Sequence, residues 1–157
     1  NTVCPMPCNI YGTNDHFESD KSHVVAALIQ RFVNAKGDNL KEVTLWGTGI
    51  ARREFIHVED AAKALIHLMN SDYNQPDIVN IGYGSDISIH ELAELIKNKV
   101  GFIGNISWDS TKPDGMLRRC MDVSKMRDLG YSPSITLAQG IERTIQEYME
   151  INEKRLT

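Results

Sequence analysis

Residues 46–60 constrain the fold of this chain more than any other stretch, because strand, turn and helix signals follow one another there without a gap. Gly47 and Gly49 predict a tight turn at the end of a strand, since glycine adopts backbone angles that other residues resist. Residues 54–58 alternate between two faces, as a second strand requires. Two acidic residues then precede the helical pattern of 61–69, where negative charge stabilises the amino-terminal end of a helix.

Arg52 and Arg53 stand between this turn and the second strand. Arginine on a rigid frame suits bidentate capture of a phosphate or a carboxylate. The local pattern is more typical of two arginines on a solvated turn. The spacing alone therefore leaves both interpretations open.

The rest of the chain alternates extended and helical patterns, which predicts an α/β fold. Further strands are expected at 3–9, 78–81 and 106–109, and helices at 23–35, 88–100, 122–129 and from 136 onward. Pro5 and Pro7 exclude a regular central strand in the first of these segments, because proline lacks an amide donor. Residues 10–20 are expected to form a polar loop.

Capping residues support the predicted helix starts, which lie at Ser22, Ser88, Asp122 and Thr136. Ser88 and Thr136 are each followed three residues later by Glu or Gln, which is the spacing of a capping box. Gly101 is expected to end the third helix, since glycine readily takes the left-handed conformation of a helix terminus.

The composition is that of one soluble globular domain, with 157 residues, a net charge of -4 and a pI near 5.7. This charge argues against a nucleic acid or an anionic membrane as a partner of the whole surface. The odd number of cysteines, Cys4, Cys8 and Cys120, favours a reducing compartment, and we expect a cytoplasmic protein. A Cys4–Cys8 metal pair lacks a second pair of ligands, so buried thiols are favoured and no metal site is predicted.

Five short stretches carry a resemblance to a known family. They are Pro-Cys-Asn-Ile-Tyr-Gly at 7–12, Ser-His-Val at 22–24, the whole of 46–60, Asn-Ile-Gly at 80–82 and Lys-Pro-Asp-Gly at 112–115. On these residues, nearly the whole chain resembles the carboxy-terminal half of the extended short-chain dehydrogenases/reductases, and most closely the family of GDP-L-fucose synthases. The Arg-Glu-Phe-Ile-His-Val segment is widespread in that superfamily, whereas the first, second and last stretches are narrower.

The resemblance implies an NADP-dependent homodimer that converts GDP-4-keto-6-deoxy-mannose into GDP-fucose. Such enzymes epimerise C3 and C5 of the sugar and then reduce the C4 ketone with NADPH. The chemistry is coherent, because a ketone at C4 acidifies both neighbouring C–H bonds. One acid/base pair beside one stabiliser of the oxyanion can then serve both inversions.

The resemblance assigns catalytic and cofactor roles to residues of the first two stretches. His23 matches the general acid of the epimerisations, a role that suits histidine because its pKa lies near the working pH. Pro7, Cys8, Asn9 and Ile10 match the segment that passes the nicotinamide half of the cofactor, and His23 is expected to border the same site.

The resemblance also assigns substrate contacts, which are Arg31, Trp46, Arg53, Asp114 and Arg119. Arg31 and Arg53 are expected to hold the GDP diphosphate. Arg119 stands where the family usually has lysine, which keeps the charge and changes its geometry. Arg52 is expected to be a surface residue.

The family's amino-terminal half carries the glycine-rich phosphate loop, the catalytic serine, the Tyr-x-x-x-Lys pair and the base cysteine. In this chain no tyrosine is followed four residues later by lysine. We therefore expect 1–157 to be one substrate-binding domain that lacks most of the Rossmann domain, with 1–12 and parts of 43–81 completing it. NADPH is expected to be bound mainly by the missing half, so the isolated chain should bind it poorly and show no reductase activity.

Two alternatives remain open at this level. A reductase or epimerase of another GDP-4-keto sugar, such as a heptose, would share the residues that bind the diphosphate. A non-catalytic module that binds a GDP-sugar would instead be self-contained, with residues 3–9 paired within the chain.

Overall fold

The computed structural model describes residues 2–17 and 22–156, with side chains described as far as residue 152. The strands are β1 (Cys4–Pro7), β2 (Asn9–Tyr11), β3 (Glu42–Trp46), β4 (Arg52–His57), β5 (Ile78–Ile81), β6 (Asp86–Ser88), β7 (Asn105–Asp109) and β8 (Arg118–Arg119). The helices are α1 (Val24–Gly37), α2 (Val58–Asn70), α3 (Ile89–Val100), α4 (Ser124–Asp128) and α5 (Leu137–Leu156). The α/β prediction is confirmed, and none of the described helices has the length and apolar character needed to cross a membrane.

The described strands form three small sheets, and β4 belongs to the largest of them. β1 pairs in parallel with β5, and β3 pairs in parallel with β7. In the third sheet, the carboxy-terminal half of β4 pairs in parallel with β2, while its first residues lie between β6 and β8. The stretch that dominates the sequence therefore also supplies the strand with the most pairing partners among the described residues.

Two hydrophobic clusters lie on opposite faces of β4. Phe55 belongs to the larger cluster, which includes residues of α1, α3 and α5 such as Phe32. Ile56 belongs to the smaller cluster, with residues of α2 and β5. The predicted alternation is thus confirmed for Phe55 and Ile56, and both faces are buried. The predicted end of this strand is wrong, because Val58 is the first residue of α2.

The first predicted strand is in fact two strands, because the chain pairs with β5 before Cys8 and with β4 after it. The amide of Cys8 donates to the carbonyl of Ile81 at 2.8 Å, so the nitrogens of Pro5 and Pro7 face the opposite edge of β1. Residues 10 and 11 were expected in a loop and instead lie in β2. The interpretation of Cys4 as a buried thiol is wrong, since its side chain is exposed on β1, whereas Cys8 is half-buried.

The predicted cap of α1 at Ser22 is also wrong. His23 is the N-cap, with an extended backbone and a carbonyl that accepts from the Ala27 amide at 2.9 Å. The Ser22 hydroxyl is buried and has no hydrogen-bond partner among the described residues. The imidazole of His23 makes no capping bond.

The capping boxes of α3 and α5 are confirmed. At α3 the Ser88 hydroxyl accepts from the Glu91 amide while the Glu91 carboxylate accepts from the Ser88 amide, and Thr136 and Gln139 do the same at α5. The N-cap of α4 is Val123 and not Asp122, although the Asp122 carboxylate accepts from the Ser124 amide at 2.9 Å.

Candidate functional site

The turn after β3 is held by a carboxylate from a distant loop. Gly47 and Gly49 have φ of 80° and 76°, which confirms the predicted turn. Asp114 accepts from both the amide and the hydroxyl of Thr48 at 2.7 Å, and these hydrogen bonds hold the pKa of Asp114 below its usual value. A Cβ on Gly47 would lie 2.3 Å from Oδ1 of Asp114, so this position requires glycine.

Trp46 and Arg31 line one small cavity, which we call the Trp46 cavity. Its volume is about 170 Å³, and Trp108 forms part of the wall. Trp46 is 68% exposed, so it is no core residue, and the ammonium of Lys112 lies 5.8 Å from its ring centroid. Arg31 donates from Nη1 to the Thr44 carbonyl at 3.3 Å, which holds its side chain against β3. An exposed indole with a cation beside it offers a flat face to a planar ring.

Arg53 and Arg119 are brought side by side by strand pairing. They are register partners in the parallel pair of β4 and β8, and Arg53 lines a cavity of about 320 Å³ that we call the Arg53 cavity. Arg53 donates from Nη1 to the Arg52 carbonyl at 2.8 Å. Among the described side chains, no carboxylate forms an ion pair with Arg53 or Arg119. Two unneutralised guanidinium groups, in a chain of net charge -4, can together attract an anion.

Arg52 is partly exposed, at 40%, as expected of a surface residue, but it is also held by ion pairs. Its Nε lies 2.6 Å from Oδ1 of Asp86, and its Nη1 lies 3.4 Å from Glu91. Arg118 of β8 binds the other oxygen of Asp86 through Nε at 2.5 Å. This group joins Arg52 to residues of β6, α3 and β8. The sequence around Arg52 does not indicate it, because these residues are far away along the chain.

His23 and the predicted cofactor residues also share a cavity, which we call the His23 cavity. Its volume is about 330 Å³, and its walls include Cys8, Asn9, Ile10 and His23. His23 is exposed at the start of α1, with its side chain at the cavity wall. Pro7 is an exception, since it ends β1 and does not line the cavity.

The His23 cavity shares one lining residue with each of the other two cavities, which share none with each other among the described residues. Phe55 lines both the His23 cavity and the Arg53 cavity, and Val24 lines both the His23 cavity and the Trp46 cavity. Burial, with a further effect of Glu54, raises the pKa of the Cys8 thiol to about 12. The thiol is therefore neutral at physiological pH and forms part of an uncharged wall.

Glu54 is a structural residue of this region that the sequence analysis missed. Its side chain is buried, and it accepts from the Gly84 amide at 2.6 Å and from the Met121 amide at 2.7 Å. Its backbone carbonyl accepts from the side chain of Asn9 at 2.7 Å. Glu54 thus ties the turn after β5 and the segment after Arg119 to the wall of the His23 cavity. No local pattern reveals this role, since all three partners are distant in sequence.

Three other histidines have structural surroundings, as predicted. His57 is buried and accepts from the Glu59 amide through Nδ1, and burial lowers its pKa. His67 is bonded to the Leu129 carbonyl through Nε2, and His90 stacks on the partly buried indole of Trp108. Within the part of the chain that the structure describes, no group of three or more His, Cys, Asp or Glu could hold a metal ion.

The chain matches proteins of known families along nearly its whole length. Residues 1–82 match the NAD dependent epimerase/dehydratase family. The chain is 48% identical to the probable GDP-L-fucose synthase 1 of Oryza sativa subsp. japonica over 148 residues, which cover 94% of this chain and 45% of that protein. It therefore spans about half the length of the curated relatives it matches.

Solved structures show the same arrangement. A GDP-L-fucose synthetase from Naegleria fowleri superposes with a TM-score of 0.88 at 26% identity, covering 96% of this chain and 47% of that one. A GDP-6-OMe-4-keto-L-xylo-heptose reductase from C. jejuni superposes with a TM-score of 0.82 at 30% identity, covering 96% and 54%. The described fold thus corresponds to about half of each of these larger α/β proteins.

Proposed function

The chain belongs to the NAD dependent epimerase/dehydratase family, and from this premise we propose that it is the substrate-binding part of a GDP-L-fucose synthase. In this proposal the full enzyme epimerises C3 and C5 of GDP-4-keto-6-deoxy-mannose and reduces C4 with NADPH. The observation that carries the proposal is the pair of unneutralised arginines, Arg53 and Arg119, together with three cavities that suit the parts of a nucleotide sugar.

The nucleotide end of the substrate is proposed to occupy the Trp46 and Arg53 cavities. The exposed face of Trp46 can stack on the guanine ring, and Arg31 lines the same cavity. Arg53 and Arg119 then bind the diphosphate, with Arg31 as a third cation near the nucleoside. Asp114 supports this end indirectly, because it fixes the turn that follows Trp46.

The sugar end is proposed to lie in the His23 cavity. His23 is the general acid, which delivers a proton to the ring carbon from the side of the sugar that faces α1. The exposed position of His23 at the start of α1 lets the imidazole exchange its proton with solvent between the two inversions. The opposing base is proposed to lie outside this chain.

The residues of the His23 cavity fit only the nicotinamide end of NADP. The neutral Cys8 thiol and the half-exposed Ile10 form an uncharged wall suited to a flat ring, and a volume of about 330 Å³ is too small for a dinucleotide. When bound, NADPH supplies the hydride that reduces the C4 ketone. Cys8, Asn9 and Ile10 orient its ring, while the rest of the cofactor is proposed to bind a dinucleotide fold outside this chain.

Residues 1–12 and parts of 43–81 are proposed to complete that dinucleotide fold. β1 pairs with β5 within the chain, but its other edge is unpaired among the described residues. Apolar side chains of β1, β5 and α2 are also exposed, with Met6 at 41%, Ile78 at 51% and Met69 at 82%. Exposed apolar surface of this kind favours burial by further structure over a self-contained binding module. By resemblance to the family, we also propose a cytoplasmic homodimer.

A second candidate is the reduction of a GDP-4-keto-heptose. The likeness to the C. jejuni heptose reductase, at a TM-score of 0.82, favours it. The residues that bind the diphosphate would be common to both activities, so the sugar decides between them. Turnover of GDP-4-keto-6-deoxy-mannose and of a GDP-4-keto-heptose by the complete gene product distinguishes the two. A clear preference for the heptose would overturn the first proposal in favour of the second.

The proposed nucleotide site is tested by the Arg53→Ala change. Loss of a charge-assisted, partly buried contact should weaken GDP binding by about 2–4 kcal/mol, which is roughly 30- to 1000-fold in Kd. Isothermal titration with GDP measures it. Arg143→Ala is the matched control, since Arg143 is half-exposed and pairs with Glu59 away from the three cavities. An unchanged Kd for Arg53→Ala would refute the site.

A further inference from the structure

Asp86 is a carboxylate covered by two arginines at the edge of the Arg53 cavity. Its oxygens bind Nε of Arg52 at 2.6 Å and Nε of Arg118 at 2.5 Å, and its side chain is only 5% exposed. Pairing with cations stabilises a carboxylate that has this little contact with water. Both arginines are more open to solvent, at 40% and 69%. The carboxylate is therefore the fixed centre of the group.

The strand β8 depends on few bonds for its place against β4. It has two residues, and beyond its pairing the Arg52 amide donates to the Leu117 carbonyl at 2.7 Å. Such a short edge strand is marginal on its own. Arg118 links it to Asp86, and two residues after Arg119 the Met121 amide donates to Glu54. Arg119 thus lies between two carboxylate anchors.

Asp86 also decides which of the four neighbouring arginines are neutralised. Arg52, Arg53, Arg118 and Arg119 lie in adjacent register positions of β4 and β8, where like charges repel. Asp86 binds the two at positions 52 and 118 and leaves Arg53 and Arg119 without a carboxylate partner among the described side chains. The two unneutralised guanidinium groups are therefore neighbours because the other two are held by Asp86.

We propose that Asp86 is a positioning residue for nucleotide binding: by binding Arg118 it holds β8 on β4, so that Arg119 stands beside Arg53 to receive the diphosphate. Asp86 itself does not touch the substrate. The inference rests on the proposed function for the identity of the anion, a nucleoside diphosphate. The role of Asp86 in holding β8 is independent of that identity.

The first test is a set of GDP titrations on the purified protein. Asp86→Asn should weaken GDP binding by roughly tenfold, and adding Arg119→Gln should change Kd by less than about threefold, because Arg119 is already displaced. Adding Arg53→Gln to Asp86→Asn should weaken GDP binding as much as it does in the wild type, since Arg53 belongs to β4. Arg118→Lys, which keeps a charge at this position, should retain affinity within about threefold. A full additional loss from Arg119→Gln in the Asp86→Asn background would overturn the inference.

The second test is hydrogen exchange of the backbone amides, which needs no ligand. Asp86→Asn should raise exchange at residues 118–121 and leave β3 and β7 unchanged. The control is Glu142→Gln, which removes the exposed pair with Lys99 between α3 and α5. If Asp86→Asn fails to fold, Arg118→Gln replaces it, because Asp86 keeps its pair with Arg52.

The two measurements separate the two proposals. A wild-type protein that binds no GDP refutes the proposed function, and the exchange rates then decide whether Asp86 holds β8. A wild-type protein that binds GDP, with affinity and exchange unchanged in Asp86→Asn, refutes the positioning role alone.

Discussion

Asp60 offers a sharp test of how this fold is held together. It lies in the first turn of α2 and is 1% exposed. Its Oδ2 accepts from the amides of Ser134 and Ile135 at 2.9 and 2.7 Å, and its Oδ1 accepts from the Ser134 hydroxyl at 3.0 Å. One carboxylate therefore fixes the loop that leads into α5. We predict that Asp60→Ala destabilises the protein far more than Asp60→Asn.

The expected magnitudes follow from the partners. Hydrogen bonds to a charged group contribute about 1.5–3 kcal/mol each, and an orphaned buried donor costs about 1–3 kcal/mol. The Ile135 amide is buried, the Ser134 amide is partly so, and the hydroxyl can rotate to another partner. Asp60→Ala should thus lower the free energy of unfolding by about 2–4 kcal/mol. Asp60→Asn keeps an oxygen for both amides and turns its NH2 group to the hydroxyl, so about 1 kcal/mol is expected.

Urea denaturation followed by circular dichroism measures both variants against the wild type. At about 2–4 °C per kcal/mol for a chain of this size, the melting temperature of Asp60→Ala should fall by about 4–16 °C. A loss below about 1 kcal/mol for Asp60→Ala would refute the reasoning. Equal losses for both variants would also refute it, because the retained amide oxygen would then have no effect.

Two further predictions concern His57 and the turn after β3. Because burial lowers the pKa of His57 below its usual 6.5, its contribution to stability is complete above that pH and is lost as the pH falls below it. His57→Asn keeps the cap and cannot titrate, so the free energy of unfolding of this variant should fall less steeply between pH 7 and 5 than that of the wild type. Urea titrations at each pH measure this, and an equal fall in the two proteins would contradict it. Gly47→Ala should destabilise by about 1–3 kcal/mol through its positive φ and the contact with Asp114, whereas Gly37→Ala meets open space and should be neutral. Equal melting temperatures of the two glycine variants would count against the strained turn.

The features that sequence reasoning recovered are those determined by near neighbours. The capping box of Ser88 and Glu91 needs only a hydroxyl, a carboxylate and three residues of spacing, and it is present. The turn at Gly47 and Gly49 needs only backbone freedom, and the two faces of β4 follow from alternation. These signals are local, so the printed sequence displays them directly.

The features that it missed are set by partners far along the chain. β6 and β8 have three and two residues, too few for any periodicity, and they exist because β4 pairs with them. Arg52 resembles a surface arginine until Asp86 is brought to it from β6. His23 rather than Ser22 caps α1 because the backbone at His23 is extended. Propensity could not decide between two adjacent polar residues.

The sequence by itself determined the α/β class, the order of the main strands and helices, the turn after Trp46 and the family. It did so through backbone angles, caps, periodicity and motifs, which depend on residues a few positions apart. Only the tertiary structure decided that Arg53 lies beside Arg119, and that Asp86 and Glu54 bind the two ends of the segment 118–121. It also decided that His23 borders the wall formed by Cys8, Asn9 and Ile10. The physical reason is that these groupings depend on strand register and on the burial of charges. Both become defined only when distant segments pack against each other.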